Sequence, residues 1–563
     1  MCGIAGVLGD EESAEALIQP LQHRGPNGIR TEQGPNRSLA HARLSIIDLE
    51  GGWQPLSAAG STVIGNGEIY NYVELARDYQ LEGKLHTGSD FEPLLHIYAQ
   101  EGEATFDRLR GMYAFCLIGA DGRTWLVRDP FGIKPLYVHV ADGVARFASE
   151  PRVFGPAHAR PELMREVASL NYALSKETAW PGVYRLEPGE IAEFVGGELI
   201  PRRKREAIPR PRPRAPISDE ARALDALDAV LEDSVRVHQR SDVPYGLFLS
   251  GGIDSAAIAT LMARLNERPV IAYTCGFDAP GARDERAQAE AVATALKLDW
   301  RETLFTEEDF WAIAPQVAWA MDDPVADYAC LPTYKLAAAA KQSLTVVLTG
   351  EGGDELFGGY GRYRRALRPS WLGGRPAEPQ VDTVFGPEAL DAWRKHAKTP
   401  AGLTPLQQAQ YRDIATWLPN DLLLKLDRCL MAHGLEGRTP FLDSQVAAFA
   451  FHLSDTLKVR GRFGKYLLRK WLERHCPAAA PWAKKRGFTV PVANWIAPHA
   501  GKLAETLANV ESVRAAADAD TVRMIFTEAA HADRRWALLF LGLWGRIHMD
   551  GATPQDALKT LLP

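Results

Sequence analysis

No apolar run in this 563-residue chain approaches the roughly 18 residues that a membrane span requires, so no transmembrane segment is expected. Basic charge is also short: 64 Lys and Arg against 71 Asp and Glu leave a net charge of -7, which argues against nucleic acid as the main partner. Cysteine is sparse and scattered. Cys2, Cys116, Cys275, Cys330, Cys429 and Cys476 form no CxxC pair and no Cys/His spacing of the zinc type, so neither a disulfide framework nor a structural metal is expected. The N-terminus lacks a basic segment followed by an apolar stretch and a small-residue cleavage site, which points to a cytoplasmic location.

What is present is ample core material. Hydrophobic residues make up 46% of the chain and charged residues 24%, and the length exceeds the roughly 250–300 residues at which a single core stops growing, so at least two domains are expected. Residues 201 to 220, "PRRKREAIPRPRPRAPISDE", alternate proline with arginine in a way that excludes helix and central strand, and 201–217 reads as a linker. A basic nucleic-acid-binding arm is the weaker reading, given the acidic total and the absence of interleaved aromatics. Before the linker, "SLAHARLSIIDL", "STVIGNGEIYN", "YAFCLIGA", "TWLVRDPFG" and "ARFASE" alternate with turn residues and predict a sheet-rich half, 2–200. After it, in 218–563, the apolar runs "PYGLFLS", "PVIAYTCGF" and "LTVVLTG" alternate with long helical patterns. That alternation predicts a doubly wound parallel sheet with ligands at the strand carboxyl ends, and the chain beyond about residue 360 reads as mainly helical.

The opening "MCGIAGVLG" raises the first chemical question. Removal of the initiator methionine would leave Cys2 with a free α-amine beside its thiol, so that the amine takes the thiol proton and the thiolate becomes the nucleophile. "NGEIYN" presents Asn66, Gly67 and Glu68 on a turn, where the Asn66 side chain and the Gly67 N–H would make an oxyanion hole for a tetrahedral intermediate on Cys2. Arg43 in "HARLSIID" would hold an α-carboxylate bidentately, and Asp90 in "TGSDFEP" an α-ammonium. Each alone reads more readily as a surface ion pair or turn residue. Together with Cys2 they specify a glutamine pocket.

A second chemistry lies in "PYGLFLSGGIDSAAIATLMARL", which reads as strand, glycine turn and helix. Ser250, Gly251, Gly252 and Ser255 would expose amides and hydroxyls at a helix N-terminus and so cradle an anion. The lysine of GxxxxGK[ST] is missing, so the phosphate chemistry differs from that of kinases. The loop resembles the SGGxDS loop of ATP pyrophosphatases, in which pyrophosphate leaves as a substrate carboxylate attacks the α-phosphorus of ATP. Asp254 would carry Mg²⁺, a hard cation suited to carboxylate and phosphate oxygens. "LTVVLTGEGGDELFGGY" repeats the arrangement: Asp354 is the candidate second Mg²⁺ carboxylate and Glu351 an orienting or proton-accepting group. Glu355 reads equally as a carboxylate favoured by the helix dipole.

Taken with "HRGPN", "LRGMYAF", "RDPFGIKPLY", "DDPVADYACLPTY", "LLLKLDRCLMAHGLEGRTPFLD", "GKYLLRKWL" and "KKRGFTVPVANW", these motifs occur in the order found in glutamine-hydrolysing asparagine synthetases, which the chain resembles over nearly its whole length. The resemblance implies a class II glutaminase αββα sandwich of the N-terminal-nucleophile type, joined to an ATP-pyrophosphatase-type synthetase domain, with ammonia passing between them through an internal tunnel. It implies small-molecule substrates: glutamine, ATP and aspartate or another carboxylic acid. It also points to a homodimer. It places Ile46 and Ile47 with Arg43, Asn66, Gly67, Glu68 and Asp90 on glutamine. Leu249, Cys275, Thr349 and Gly350 fall on ATP, Ser250 to Ser255 on pyrophosphate, and Lys465 on the charge that develops during adenylation. Three positions depart from the family's pattern: Asn27 stands for aspartate, Asp323 for glutamate and Ala483 for arginine.

Overall fold

The computed structural model describes all residues except 1, 209–214, 278–284, 376, 380, 485–489 and 563. The middle of the proposed linker and part of "KKRGFTVPVANW" therefore lie outside the described residues.

The first 204 residues supply twelve strands among the described residues: β1 (Gly3–Leu8), β2 (Ile29–Gly34), β3 (Arg37–Ala42), β4 (Leu56–Ala58), β5 (Ser61–Ile69), β6 (Gly111–Ile118), β7 (Thr124–Arg128), β8 (Tyr137–Ala141), β9 (Val144–Ala148), β10 (Val183–Arg185), β11 (Glu190–Val195) and β12 (Glu198–Lys204). They form two antiparallel six-stranded sheets, ordered β10-β8-β9-β1-β3-β2 and β12-β11-β7-β6-β5-β4. The second sheet is covered on both faces, which explains its continuous apolar runs. Successive side chains alternate between faces, so Ala114, Cys116 and Leu126 meet Ile4, Leu39 and Phe147 of the first sheet, while Tyr113, Phe115 and Trp125 meet Leu94, Leu95 and Tyr98 of helix Glu92–Glu101. A short helix, Glu15–Ile18, covers the far side of the first sheet through Leu17 and Ile18. The layers are thus helix, sheet, sheet, helix, as expected for the αββα sandwich.

One boundary needs correction. Pro201 to Lys204, read as linker, form the end of β12. Proline is tolerated there because β12 is the sheet edge and its register with β11 shifts at a bulge where Pro201 opposes Ala192.

The second half holds β13 (Tyr245–Phe248), β14 (Ile271–Phe277), β15 (Asp299–Phe305), β16 (Val346–Leu348) and β17 (Glu436–Arg438) in one parallel sheet ordered β15-β14-β13-β16-β17. The order reverses between β13 and β16, the switch point where ligands bind in sheets of this kind. The chain beyond residue 360 is helical apart from β17, whose three residues become a strand only by pairing with β16.

The two halves share packing. Helix Pro161–Leu170 and Trp180 of the first half join one core with Val325 and helix Arg535–His548 of the second, Trp180 meeting Trp544 edge-on at 6.2 Å. Buried charges cross the same boundary: Arg24 Nη1 reaches Glu150 at 2.7 Å and Asp427 at 2.8 Å. Such networks add little net stability but fix which group faces which.

Candidate active sites

β1 delivers Cys2 to the start of the first sheet, where it is 9% exposed. The Cys2 backbone N–H donates to Asn66 Oδ1 at 3.1 Å, and the Leu44 N–H points at Cys2 Sγ, 3.4 Å away. With Oδ1 so engaged, the buried Asn66 Nδ2 has no hydrogen-bond partner. An unsatisfied buried donor beside a nucleophile is what an oxyanion hole requires before substrate arrives. Gly67 adopts φ +141°, and a Cβ there would lie 2.0 Å from the Met112 carbonyl oxygen, so only glycine fits. Burial pushes the Cys2 thiol up, against the pull of the amino-terminal charge.

A cavity of about 30 Å³ is lined by Cys2, Arg43, Ile46, Ile47, Gly67, Glu68 and Asp90 among others, which brings together the residues assigned to glutamine except Asn66, whose side chain meets the Cys2 backbone instead. Its volume suits a water or two, so a bound amino acid requires it to widen. Arg43 currently donates to the carbonyls of Leu49 and Asp48 at 3.1 and 2.5 Å. Asp90 accepts from the Ile69 N–H at 2.7 Å, and burial foremost pushes its carboxyl up to about 7. A larger cavity, about 440 Å³, lies between the halves and is lined by Arg128, Lys176, Arg205 and Tyr411 among others; it contains none of the predicted site residues.

Sequence reasoning missed three residues here. His41 lines the glutamine cavity, neither ring nitrogen has a partner, and burial pulls its pKa down to about 3, so the ring is neutral. Glu436 and Arg438 come from β17 of the other half. Arg438 Nε donates to Glu436 Oε1 at 2.6 Å and its Nη2 lies 3.2 Å from Glu68 Oε1, while its carbonyl accepts the Thr349 N–H at 2.9 Å. One residue therefore touches both sites.

At the switch point, helix Ile253–Leu265 starts at Gly252 with no side-chain cap, leaving its first amides available to an anion. Ser250 Oγ and Ser255 Oγ lie 2.9 Å apart, and the Gly252 N–H donates to Ser250 Oγ at 3.1 Å, shaping the loop. Leu249 follows β13, Cys275 lies in the carboxyl-terminal part of β14, and Thr349 and Gly350 follow β16, so the positions assigned to ATP lie toward the carboxyl edge. Glycines let the two loops interlock: a Cβ on Gly353 would lie 2.5 Å from Asp254 Oδ1.

Lys465, in a left-handed backbone (φ 54°), bridges Asp254 and Asp354, its Nζ 2.7 Å from Asp354 Oδ1 and bonded to Asp254 Oδ2. Burial disfavours its charge, but the two carboxylates outweigh this and raise its pKa. Glu351 stands nearby, raised by burial above the usual carboxylate range and pulled down by Lys425. Glu355 is buried, accepts the Tyr360 O–H at 2.6 Å and rises to about 8, chiefly through burial. It also lies in the first turn of helix Gly353–Phe357, where the dipole favours a carboxylate. No set of three metal-ligating side chains occurs among the described residues, but the Asp254 and Asp354 oxygens form a hard donor pair suited to Mg²⁺ held jointly with phosphate.

Two departures from the pattern have structural answers. Asn27 Oδ1 accepts the Ser45 N–H at 3.0 Å, which a carboxylate oxygen would do equally. Asp323 is buried between the halves, accepting Tyr137 O–H at 2.7 Å and Arg185 Nη2 at 2.6 Å. Nothing in the structure explains Ala483.

Fold and sites define a class: an N-terminal-nucleophile glutaminase fused to a doubly wound synthetase domain. The Asparagine synthase family model matches residues 226–546, and the Glutamine amidotransferase domain model matches residues 1–203. The chain is 34% identical to the putative glutamine-hydrolyzing asparagine synthetase of Mycobacterium tuberculosis H37Rv, with 98% of each chain covered. It is 31% identical to asparagine synthetase 1 of Bacillus subtilis, covering 98% of this chain and 97% of that protein. For asparagine synthetase B of Escherichia coli the figures are 29%, 88% and 83%. The chain belongs to the glutamine-hydrolysing asparagine synthetase family.

Proposed function

We propose that the enzyme hydrolyses glutamine on Cys2 and uses the ammonia to amidate aspartate activated by ATP, giving asparagine, glutamate, AMP and pyrophosphate. The observation that carries this is the pairing, in one chain, of a Cys2–Asn66 nucleophile site with a Lys465-bridged Asp254–Asp354 pair above an uncapped helix. In the first half, residues 2–200, Asn66 Nδ2 and the Gly67 N–H take the developing oxyanion, while Arg43 and Asp90 hold the glutamine carboxylate and ammonium, with Ile46, Ile47 and Glu68 around them. In the second, residues 218–563, the Ser250 to Ser255 loop holds pyrophosphate. Lys465 neutralises charge as the acyl phosphate bond forms, and Glu351 orients or deprotonates the incoming amine. Asp254 and Asp354 would hold Mg²⁺ together with phosphate oxygens, and the ion would supply positive charge to the leaving group. Six free cysteines fit a reducing, cytoplasmic setting, and a homodimer is the assembly the family likeness suggests.

The test is pyrophosphate release with ATP, Mg²⁺ and glutamine, with and without aspartate, in the native sequence and in Cys2→Ala. Aspartate-dependent release that persists in Cys2→Ala only when ammonia replaces glutamine is expected. Release that ignores aspartate would redirect the reading to another carboxylic acid.

A further inference from the structure

The cavity of about 440 Å³ has the size of a small-molecule site, and none of the chemistry above uses it. Both halves build it. Arg128, at the end of β7, and Lys176 come from the first half. Lys398 and Asn420 come from the second, Asn420 from a π-helical turn, Leu418–Leu422, a widened geometry that recurs at functional sites.

Charge accounting shows what the cavity lacks. Six lysine and arginine side chains line it against three glutamates. Arg185 is committed to Asp323 at 2.6 Å, Arg205 lies 3.6 Å from Asp107, and Lys204 lies 3.4 Å from Glu187. The other two glutamates accept hydroxyls, Glu177 from Ser175 at 2.8 Å and Glu206 from Tyr411 at 3.3 Å. Arg128, Lys176 and Lys398 are left with no carboxylate at ion-pair distance among the described residues.

Arg128 is the telling member, because it is only 6% exposed. Its Nε, Nη1 and Nη2 donate to the carbonyls of Lys134, Leu186 and Gly132 at 2.8, 2.5 and 2.8 Å, all neutral acceptors. The adjacent carboxylate of Asp129 is taken up by the N–H groups of Phe131, Ile133 and Lys134 at 3.0–3.1 Å. A buried cation without a counter-charge is costly, and an anion that enters the cavity removes the cost. A guanidinium has five N–H donors, so three carbonyls do not exhaust it.

We propose that this cavity binds a small organic anion, bearing a carboxylate or a phosphate ester, between Arg128 and Lys176 of the first half and Lys398 of the second. Neither Cys2 nor the Ser250 loop lines the cavity, so the ligand is an effector and not a substrate. Because its contacts come from both halves, it binds their docked arrangement and stabilises it.

The test is calorimetric titration of the full-length chain with glutarate and with glycerol 3-phosphate, ionic strength being held constant with sodium chloride. Neither probe is a substrate or product of the proposed reaction, and the two separate a carboxylate source from a phosphate source. At least one should bind saturably, at one site per chain. Lys176→Glu and Lys398→Glu alter exposed side chains in different halves; each should weaken binding about tenfold, the worth of a lost contact with a charged group, and leave the unfolding midpoint without probe unchanged. Arg128→Met should abolish binding, but it also deletes buried hydrogen bonds, so the lysine variants decide. Absence of saturable binding by both probes would overturn the proposal. So would binding unchanged in either lysine variant, which would put the anion at the pyrophosphate loop or on one half alone.

Discussion

Replacing Arg438 with methionine tests how firmly the halves are coupled. Methionine keeps much of the volume but deletes the contacts of the guanidinium with Glu436 at 2.6 Å and Glu68 at 3.2 Å, and its bonds to the carbonyls of His238 and Arg240 at 2.9 and 2.7 Å. Glu436 and Arg438 are fully buried and Glu68 is nearly so. Breaking such a pair from one side costs about 3–5 kcal/mol, mostly because the orphaned carboxylates cannot reach water. Arg438→Met combined with Glu436→Gln should recover about 1–3 kcal/mol of that loss. Burial opposes ionisation of Glu436, but the amino-terminal charge, Arg438 and Lys134 hold it down to about 2. A depressed carboxylate stabilises the fold above its unfolded pKa and loses that contribution as pH falls, so the cost of the substitution should shrink as pH drops through the acid range in which Glu436 protonates. Urea unfolding read by tryptophan fluorescence across acidic pH checks the energetics, and glutamine-driven against ammonia-driven pyrophosphate release checks the coupling. Glutamine-driven turnover should suffer more, since Glu68 loses its partner while the Thr349 bond uses only the backbone. A shift below about 1 kcal/mol, the range of an exposed pair, would refute the reasoning.

Asp90 should make glutamine use pH-dependent: with its carboxyl near 7, KM for glutamine should fall as pH rises through that value, and Asp90→Asn should raise KM and flatten the profile. In Gly359→Ala the added Cβ meets Asp354 Oδ1 at 1.7 Å and Lys465 Cε at 2.3 Å, so pyrophosphate release should collapse while glutaminase activity survives. Asn27→Asp should change the KM for glutamine by less than about threefold, because the same backbone N–H is satisfied either way; kinetics at neutral pH suffices.

The residues that declare themselves in the sequence are those whose chemistry is local. The Ser250 loop reads as strand, turn and helix within a dozen residues, and Cys2 is marked by position. β15, "DWRETLF", went unread because much of it is only half-buried at the sheet edge and its charged residues break the apolar signal. β17 is three residues long, and its strand character comes from β16 rather than from itself. Arg438 and Glu68 are 370 positions apart, so no window contains their contact. His41 looks like an ordinary strand residue in "LAHARL" until burial shows that neither ring nitrogen has a partner.

β17 also bears on how the enzyme is divided. It is the last strand of the parallel sheet, yet Glu436, Arg438 and Thr439 are fully buried, because the glutaminase half closes over that edge. A synthetase half expressed alone would present an open strand edge whose arginine has lost Glu68, the kind of surface on which chains self-associate. The two catalytic units are therefore poor building blocks for recombination: exchanging one for a distant homologue's would require matching the covering surface as well as the active-site residues.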